Sequence, residues 1–304
     1  MLNRSTVISL CLIFCFSYNL VYSKGNDSIS NGVGVIVIDA GHGGEDPGAL
    51  GKKFKEKDIT LAIALKVEQI IKIRHPDVKV ILTRNTDVFV PLHERAEIAN
   101  RNKADLFLSI HANANRNTNI SGIETYAMGL HTNEKNLEVA LKENAVITME
   151  KDYTMHYEGY DPNSPESFII FSLIQNTYLN QSLDFAGYVQ QYGNKIANRS
   201  DRGVRQAGFL VLWRTTMPSV LIETGYISNP KEETYLGSES GQNEIAQAIA
   251  NAFTDYKRKI ESRTVFLKNG NSNFYNKNYE TKSNNDTNNT IIKNNLNDTN
   301  SVLT

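Results

Sequence analysis

His42, His111 and Glu223 each stand at the end of an apolar, strand-like run: VIVIDAGH, LFLSIH and SVLIE. When such runs lie parallel in an open α/β sheet, their carboxyl ends open on one crevice, where side chains distant in sequence meet. Two imidazoles and a carboxylate at that rim are the donor types of a hydrolytic zinc centre. Glu56 adds a second carboxylate just ahead of a long helical pattern, and the intervening loop is long enough to return it towards His42. His42, Glu56 and His111 would then hold one Zn2+ and leave a fourth position for water, as in catalytic rather than structural zinc sites. Zinc brings the pKa of a bound water from about 16 to about 7. A carboxylate must take that proton and return it to a leaving amine, and Glu223 is the candidate. In DAGHGGEDPG, Gly41, Gly43 and Gly44 allow a sharp turn and keep bulk from the open position. Asp39 is placed to orient the His42 ring.

Singly, a histidine after a strand is more often hydrogen-bonded structure, and a glutamate at a helix start commonly serves the helix dipole. The joint placement carries the argument. His75 precedes a proline, His93 lies in a polar helical pattern, and His131 and His156 fall in an irregular insertion; these read as surface residues.

The elements that must position the four residues alternate as in an α/β domain. Val33 to Ala40 is a β-branched strand run. Ile59 to Ile73 has helical periodicity behind a plausible Asp58 N-cap. Val78 to Thr83 is a second strand, Leu92 to Asn102 a helix after Pro91, and Leu106 to Ile110 a third strand. Gly122 to Met128, Phe209 to Leu212 and Ser219 to Glu223 complete the strand set, and Glu244 to Ile260 is a closing amphipathic helix. The expected fold is one α/β domain over residues 33–262, with a mixed, mainly parallel twisted sheet flanked by helices on both faces. Residues 129–200 form a charged, amide-rich helical insertion.

Of 304 residues, 40% are hydrophobic, enough for one sizeable core. The net charge of -1 gives no footprint for nucleic acid. Residues 1–23 read as a secretory signal peptide: Arg4, an apolar stretch from Val7 to Val21, and a small-residue site near Ser23. Ser17, Tyr18 and Asn19 interrupt that stretch, which argues against a permanent membrane span. Cys11 and Cys15 both lie inside it, so the mature chain would offer only nitrogen and oxygen ligands. Phe14 before Cys15 is too bulky for a lipoprotein cleavage site. A soluble periplasmic location is therefore expected ahead of release to the medium. From about Val265 to Thr304 the chain is rich in Asn, Lys, Ser and Thr, the composition of a disordered tail.

The motifs IDAGHGGEDPGALG, EKDITLAIALKV, TRNTD, ERAEIAN, ADLFLSIHAN, RGVRQAGFLVL and MPSVLIETGYISNPKEE occur in that order between about Val33 and Ile260. In them the chain resembles the zinc-dependent type 3 family of bacterial N-acetylmuramoyl-L-alanine amidases. The resemblance implies that His42, Glu56 and His111 hold zinc and that Glu223 is the catalytic carboxylate. It also implies a peptidoglycan substrate, cut between N-acetylmuramic acid and L-alanine of the stem peptide; composition and spacing alone reach a zinc hydrolase and no further. A zinc peptidase acting on stem peptides and a non-catalytic wall-binding regulator are the rival readings. Some cell-division members of this family carry a helix that covers the zinc until an activator protein displaces it. The long insertion here resembles that arrangement, and Glu143, Glu150, Glu158 and Glu166 are carboxylates that could cap the metal; an always-open groove wall is the alternative. Phe168, Phe171, Leu179 and Phe185 are expected to pack on the domain. Arg84 and Arg95 either pair with Asp87, Glu94 or Glu97 at the surface or meet the acidic stem peptide, with surface pairing the simpler expectation. Arg202 and Arg205 precede the expected strand FLVL, near the groove by resemblance. Neither is assigned a catalytic role, and the sequence assigns no substrate-binding residue.

Overall fold

Alternating side chains assign each strand to two cores at once. In a computed structural model of the chain, which describes residues 32–130, 133–151, 153–157 and 178–279, with side chains to 264, β1 (Val35–Ala40) sends Ile36, Ile38 and Ala40 to one face of a sheet and Val37 to the other. The first face is covered by α1 (Glu56–Arg74), through Ile59, Ile63, Val67 and Ile71. Two further helices share that face: α5 (Leu179–Lys195) through Phe185 and Val189, and α7 (Glu239–Tyr279) through Ile245, Ile249 and Phe253. The second face takes α2 (Leu92–Arg101) through Leu92 and Ala99, and α3 (Glu134–Asn144) through Ala140.

The six-stranded sheet has the order β2-β1-β3-β6-β4-β5, with β2 (Lys79–Leu82), β3 (Leu106–Asn113), β4 (Ile123–Met128), β5 (Asp201–Ala207) and β6 (Ser219–Tyr226). β2, β1, β3 and β6 run parallel; β4 is antiparallel to β6, and β5 parallel to β4. The expected α/β domain with a mixed, mainly parallel sheet between two helical layers is therefore observed. Every residue of β3 and β6 is buried, the signature of parallel strands covered on both faces.

The fifth strand is not Phe209 to Leu212. It is the polar DRGVRQA of β5, a sheet edge whose largely half-buried residues carry no apolar alternation. Phe209 to Leu212 instead forms turns buried against the second face. Helix α1 begins at Glu56 rather than after an Asp58 cap; Asp58 lies inside its first turn. β3 and β6 continue two and three residues beyond His111 and Glu223, so both side chains stand within strands.

The insertion divides. α3, a 3-10 turn at Ala145–Met149 and the single turn α4 (Tyr153–His156) sit with the second core, whereas α5 buries Phe185, Ala186 and Val189 in the first. Phe185 thus packs as expected; Leu179 is half-buried, and Phe168, Phe171, Glu158, Glu166 and His131 lie outside the described residues. Removing 129–200 would therefore strip a core helix along with any regulatory element. α6 (Pro230–Leu236) follows β6, capped by the Asn229 side chain. The chain divides into units at Glu261, and α7 continues in the second unit to Tyr279, past Val265 where composition places an unstructured tail. Residues 1–23, where the sequence leads one to expect a signal peptide, and residues 280–304 lie outside the described residues.

Candidate metal centre

The loop after β1 carries His42 in a left-handed conformation, φ 61°, which costs a non-glycine residue energy and needs external support. Two buried arginines supply it. Arg84 donates from Nε to Ala40 O (2.9 Å) and from Nη2 to Gly41 O (2.8 Å). Arg95 donates from Nη1 to Ala40 O (2.8 Å) and from Nη2 to His42 O (2.9 Å). Neither is a surface partner of Asp87, Glu94 or Glu97, and neither faces substrate: Arg84 is 3% and Arg95 1% exposed. Asp39 does not orient His42. Its carboxylate accepts from Arg95 Nη1 (2.9 Å), Thr83 Oγ1 (2.6 Å) and Ser109 Oγ (2.6 Å). Burial opposes its charge, but these partners hold its carboxyl below the usual range. Asp46 takes the orienting role, with Oδ2 2.7 Å from His42 Nδ1, which turns Nε2 inward.

Glu56, fully buried at the start of α1, is fixed by two backbone donors: Ala49 N to Oε2 (2.7 Å) and Ala112 N to Oε1 (2.8 Å). Its Oε1 lies 3.1 Å from His42 Nε2 and 3.2 Å from His111 Nδ1. Gly48 (φ +65°) makes room: a Cβ there would stand 2.6 Å from His42 Cδ2 and 2.7 Å from Glu56 Oε2. Sequence reasoning thus placed His42, Glu56 and His111 together, and the structure does the same.

The fourth member is Glu143 of α3. Its Oε2 lies 3.2 Å from His42 Nε2 and 3.1 Å from His111 Nδ1. The four ligand atoms fall within 4.8 Å of one another. Donors about 2.0–2.1 Å from one tetrahedral ion stand roughly 3.3 Å apart, close to the separations seen here. His42 Nε2 and both Glu143 oxygens are buried yet form no hydrogen bond among the described residues. Close approach without hydrogen-bond alignment is what ligands aimed at a common point produce, so this donor set fits a small divalent cation. Burial opposes charge on His111, but the Glu143 and Glu56 carboxylates raise its pKa to about 9. Burial likewise opposes ionisation of Glu143, and Lys142 and the two imidazoles outweigh it, holding that carboxyl well below its usual range.

Of the other insertion carboxylates, Glu150 serves α2, accepting from Leu92 N (2.7 Å) and pairing with His93 Nδ1 (2.9 Å). His93 also stacks on His156, ring centroids 3.7 Å apart, so both are half-buried and engaged rather than loose at the surface. His75 packs on Phe253 and bonds Thr254 Oγ1 (2.8 Å).

Glu223 on β6 stands in register with His111 on β3 and with Glu124 on β4. It is fully buried, and neither oxygen has a hydrogen-bond partner among the described residues. Burial, reinforced by the nearby Glu143 charge, pushes its pKa well above the usual carboxylate range. An unpaired buried carboxyl beside a ligand cluster is costly as structure and useful for moving protons.

The sequence profile described as N-acetylmuramoyl-L-alanine amidase matches residues 36–255, most of the chain and all of this site. The chain belongs to the N-acetylmuramoyl-L-alanine amidases of the type 3 family. It is 34% identical over 248 residues to the amidase AmiA of Escherichia coli, spanning 81% of this chain and 84% of that protein. The catalytic domain of the amidase CwlV from Bacillus (Paenibacillus) polymyxa has the same fold, with TM-score 0.54 and 36% identity over 73% of this chain and 97% of that one. The CwlD amidase of Clostridioides difficile, solved in complex with the GerS lipoprotein, aligns with TM-score 0.53 and 28% identity over 73% of this chain and 98% of its own. The protein is thus a peptidoglycan hydrolase of a generally metal-dependent family, with a His42/Glu56/His111/Glu143 cluster.

In this amidase the loop clamp should be as important to the fold as any apolar core residue. Arg95→Ala leaves Asp39 buried without its cation and is expected to cost about 3–5 kcal/mol in chemical denaturation. Arg95→Lys should recover little, because one ammonium cannot span the carbonyls of Val90, Ala40 and His42 that the guanidinium reaches. A loss below about 1 kcal/mol for Arg95→Ala would show that the clamp is dispensable.

Proposed function

We propose that this amidase holds one Zn2+ through His42 Nε2, Glu56 Oε1 and His111 Nδ1, and cuts the amide between N-acetylmuramic acid and L-alanine with Glu223 as proton carrier. The carrying observation is the convergence of these ligand atoms beside an unpaired, fully buried carboxyl. Zinc, when bound, would supply a water that ionises near neutral pH and polarise the carbonyl under attack. Glu223 takes the proton of the attacking water and delivers it to the departing L-alanine nitrogen; burial keeps that carboxyl's proton affinity high enough for both transfers. Asp46 holds the His42 ring, and Glu56 is anchored by backbone donors, so neither ligand needs to reorganise.

In this reading α3 is a shutter. Glu143 takes the position an attacking water needs, which supports autoinhibition over an always-open groove wall. The helix packs Ala140 and the half-buried Leu137, Val139 and Leu141 on the second core, and its further hold is polar: Asn144 Nδ2 to Gly208 O (2.9 Å), Leu210 N to Asn144 Oδ1 (2.8 Å) and Arg205 Nη1 to Asn136 Oδ1 (3.0 Å). Such contacts exchange for water or a partner at modest cost, so an activator protein acting on the insertion is the expected partner. The complex of the related CwlD amidase with GerS shows a family member assembling with another protein. We further infer export, with residues 1–23 as signal peptide and the periplasm as location, because the substrate lies outside the cytoplasm. Among the described residues no helix is long and apolar enough to cross a membrane.

Intact peptidoglycan incubated with the mature protein, treated with a chelator and then resupplied with zinc, tests the reading by fragment mass. Stem peptides beginning with free L-alanine, lost on chelation and regained with zinc, are expected once α3 is displaced or Glu143 removed. A new amino group inside the stem peptide would make the protein a peptidase instead.

A further inference from the structure

One cavity, of about 620 Å3, is bounded by residues 118–121, Asn198–Ser200 and the start of α6 and includes none of the clustered ligands. A smaller one, about 200 Å3, lies beneath α3 and reaches Lys142, next to Glu143. Its wall on the sheet side includes Asn113 of β3, Glu124 of β4, Arg202 and Arg205 of β5, and Tyr226 of β6. Glu124 is fully engaged: it accepts from Arg202 Nε, Tyr226 OH and Tyr126 OH, each at 2.7 Å. Arg205 is left with a carboxylate contact only at 3.5 Å, outside hydrogen-bond geometry, and its Nε is buried without an acceptor among the described residues. Asn113, 2% exposed, has its Nδ2 unpaired as well. Buried donors without acceptors are costly, and two of them border one cavity. Lys135 and Lys142 also line it, so cations outnumber carboxylates there.

The cavity is also at the right distance. Asn113 lies two residues along β3 from His111, roughly 7 Å, and Glu124 is paired with Glu223 across β4 and β6. A peptide advances roughly 3.3–3.6 Å per residue, so a group one or two residues beyond the scissile amide falls at this cavity. Resting on the amidase reading above, we infer that Arg205 and Asn113 form the subsite for the free carboxylate of the acidic residue following L-alanine in the stem peptide. In the closed state Arg205 Nη1 donates to Asn136 Oδ1 of α3 at 3.0 Å. Displacing α3 therefore uncovers the ligand cluster and this guanidinium together, and the substrate carboxylate replaces the Asn136 oxygen.

The test compares N-acetylmuramoyl-L-alanyl-D-glutamate with its amide, N-acetylmuramoyl-L-alanyl-D-isoglutamine, on the full chain carrying Glu143→Ala. Hydrolysis is followed in that variant, and binding is measured by calorimetry after adding Glu223→Gln. The acid should be preferred over the amide by about 10–100-fold, as charge-assisted hydrogen bonds allow. The preference should appear mainly in KM, collapse towards unity with Arg205→Ala, and return in part with Arg205→Lys. Asn113→Ala should reduce it less. Equal affinity for the two compounds, no binding of either, or a preference that survives both alanine substitutions would overturn the subsite. Binding that prefers the acid without release of the dipeptide would instead overturn the amidase chemistry and support the subsite.

Discussion

Glu143→Ala should raise the release of stem peptides from intact peptidoglycan by about 10–1000-fold, the range opened when a minor state of about 0.1–10% becomes the dominant one. Glu143 is 5% exposed and makes its two closest contacts with the ligand atoms of His42 and His111. While it stays there, water and substrate carbonyl have no place at the centre. On α3, Asn136, Ala140, Glu143 and Asn144 form one inward stripe at helical spacing, and only Ala140 among them is apolar. Truncating Glu143 removes the stripe's grip on the centre while leaving the Asn144 and Asn136 contacts that hold the helix. Glu143→Gln should release activity less, because its amide oxygen remains able to occupy the position. An unchanged basal rate in both variants would make α3 a fixed wall of the groove.

Glu223→Gln should lower turnover about 100- to 10,000-fold, the contribution of a positioned proton carrier, when measured in the Glu143→Ala background to separate it from shuttering. Metal content by elemental analysis and the denaturation midpoint should stay close to those of the parent. The glutamine keeps the shape of a fully buried side chain and removes only its capacity to hold a proton. Turnover within about threefold of the parent would remove Glu223 from the chemistry, and concurrent loss of metal would reassign it as a ligand.

Strand ends carried most of what could be read ahead of the structure. VIVIDAGH, LFLSIH and SVLIE are dense apolar runs that each end on a polar residue, and burial on both faces of a parallel sheet favours such apolar density, so His42, His111 and Glu223 were legible. Glu56 was legible from the helix it opens. Arg84 and Arg95 were not, because a guanidinium that binds backbone carbonyls leaves no partner in the sequence to betray it. Asp39 and Asp46 flank His42 almost symmetrically, and only the left-handed turn at His42 decides that Asp46 meets the ring. The edge strand β5 escaped because its polar residues lack alternation, while FLVL, apolar through packing alone, imitated a strand. Glu143 was one of four acidic candidates on the insertion; its helical phase relative to Asn136 and Ala140 distinguishes it once the helix is known.

The four guanidinium bonds to the carbonyls of Ala40, Gly41 and His42 involve no atom of the ligand cluster. The conformation of the His42 loop is thus set by the protein's own interior and does not depend on what the centre contains. In the proposed zinc amidase, loading and unloading of the metal would then be exchange at a rigid socket, at a rate governed by access past α3 rather than by refolding of the loop.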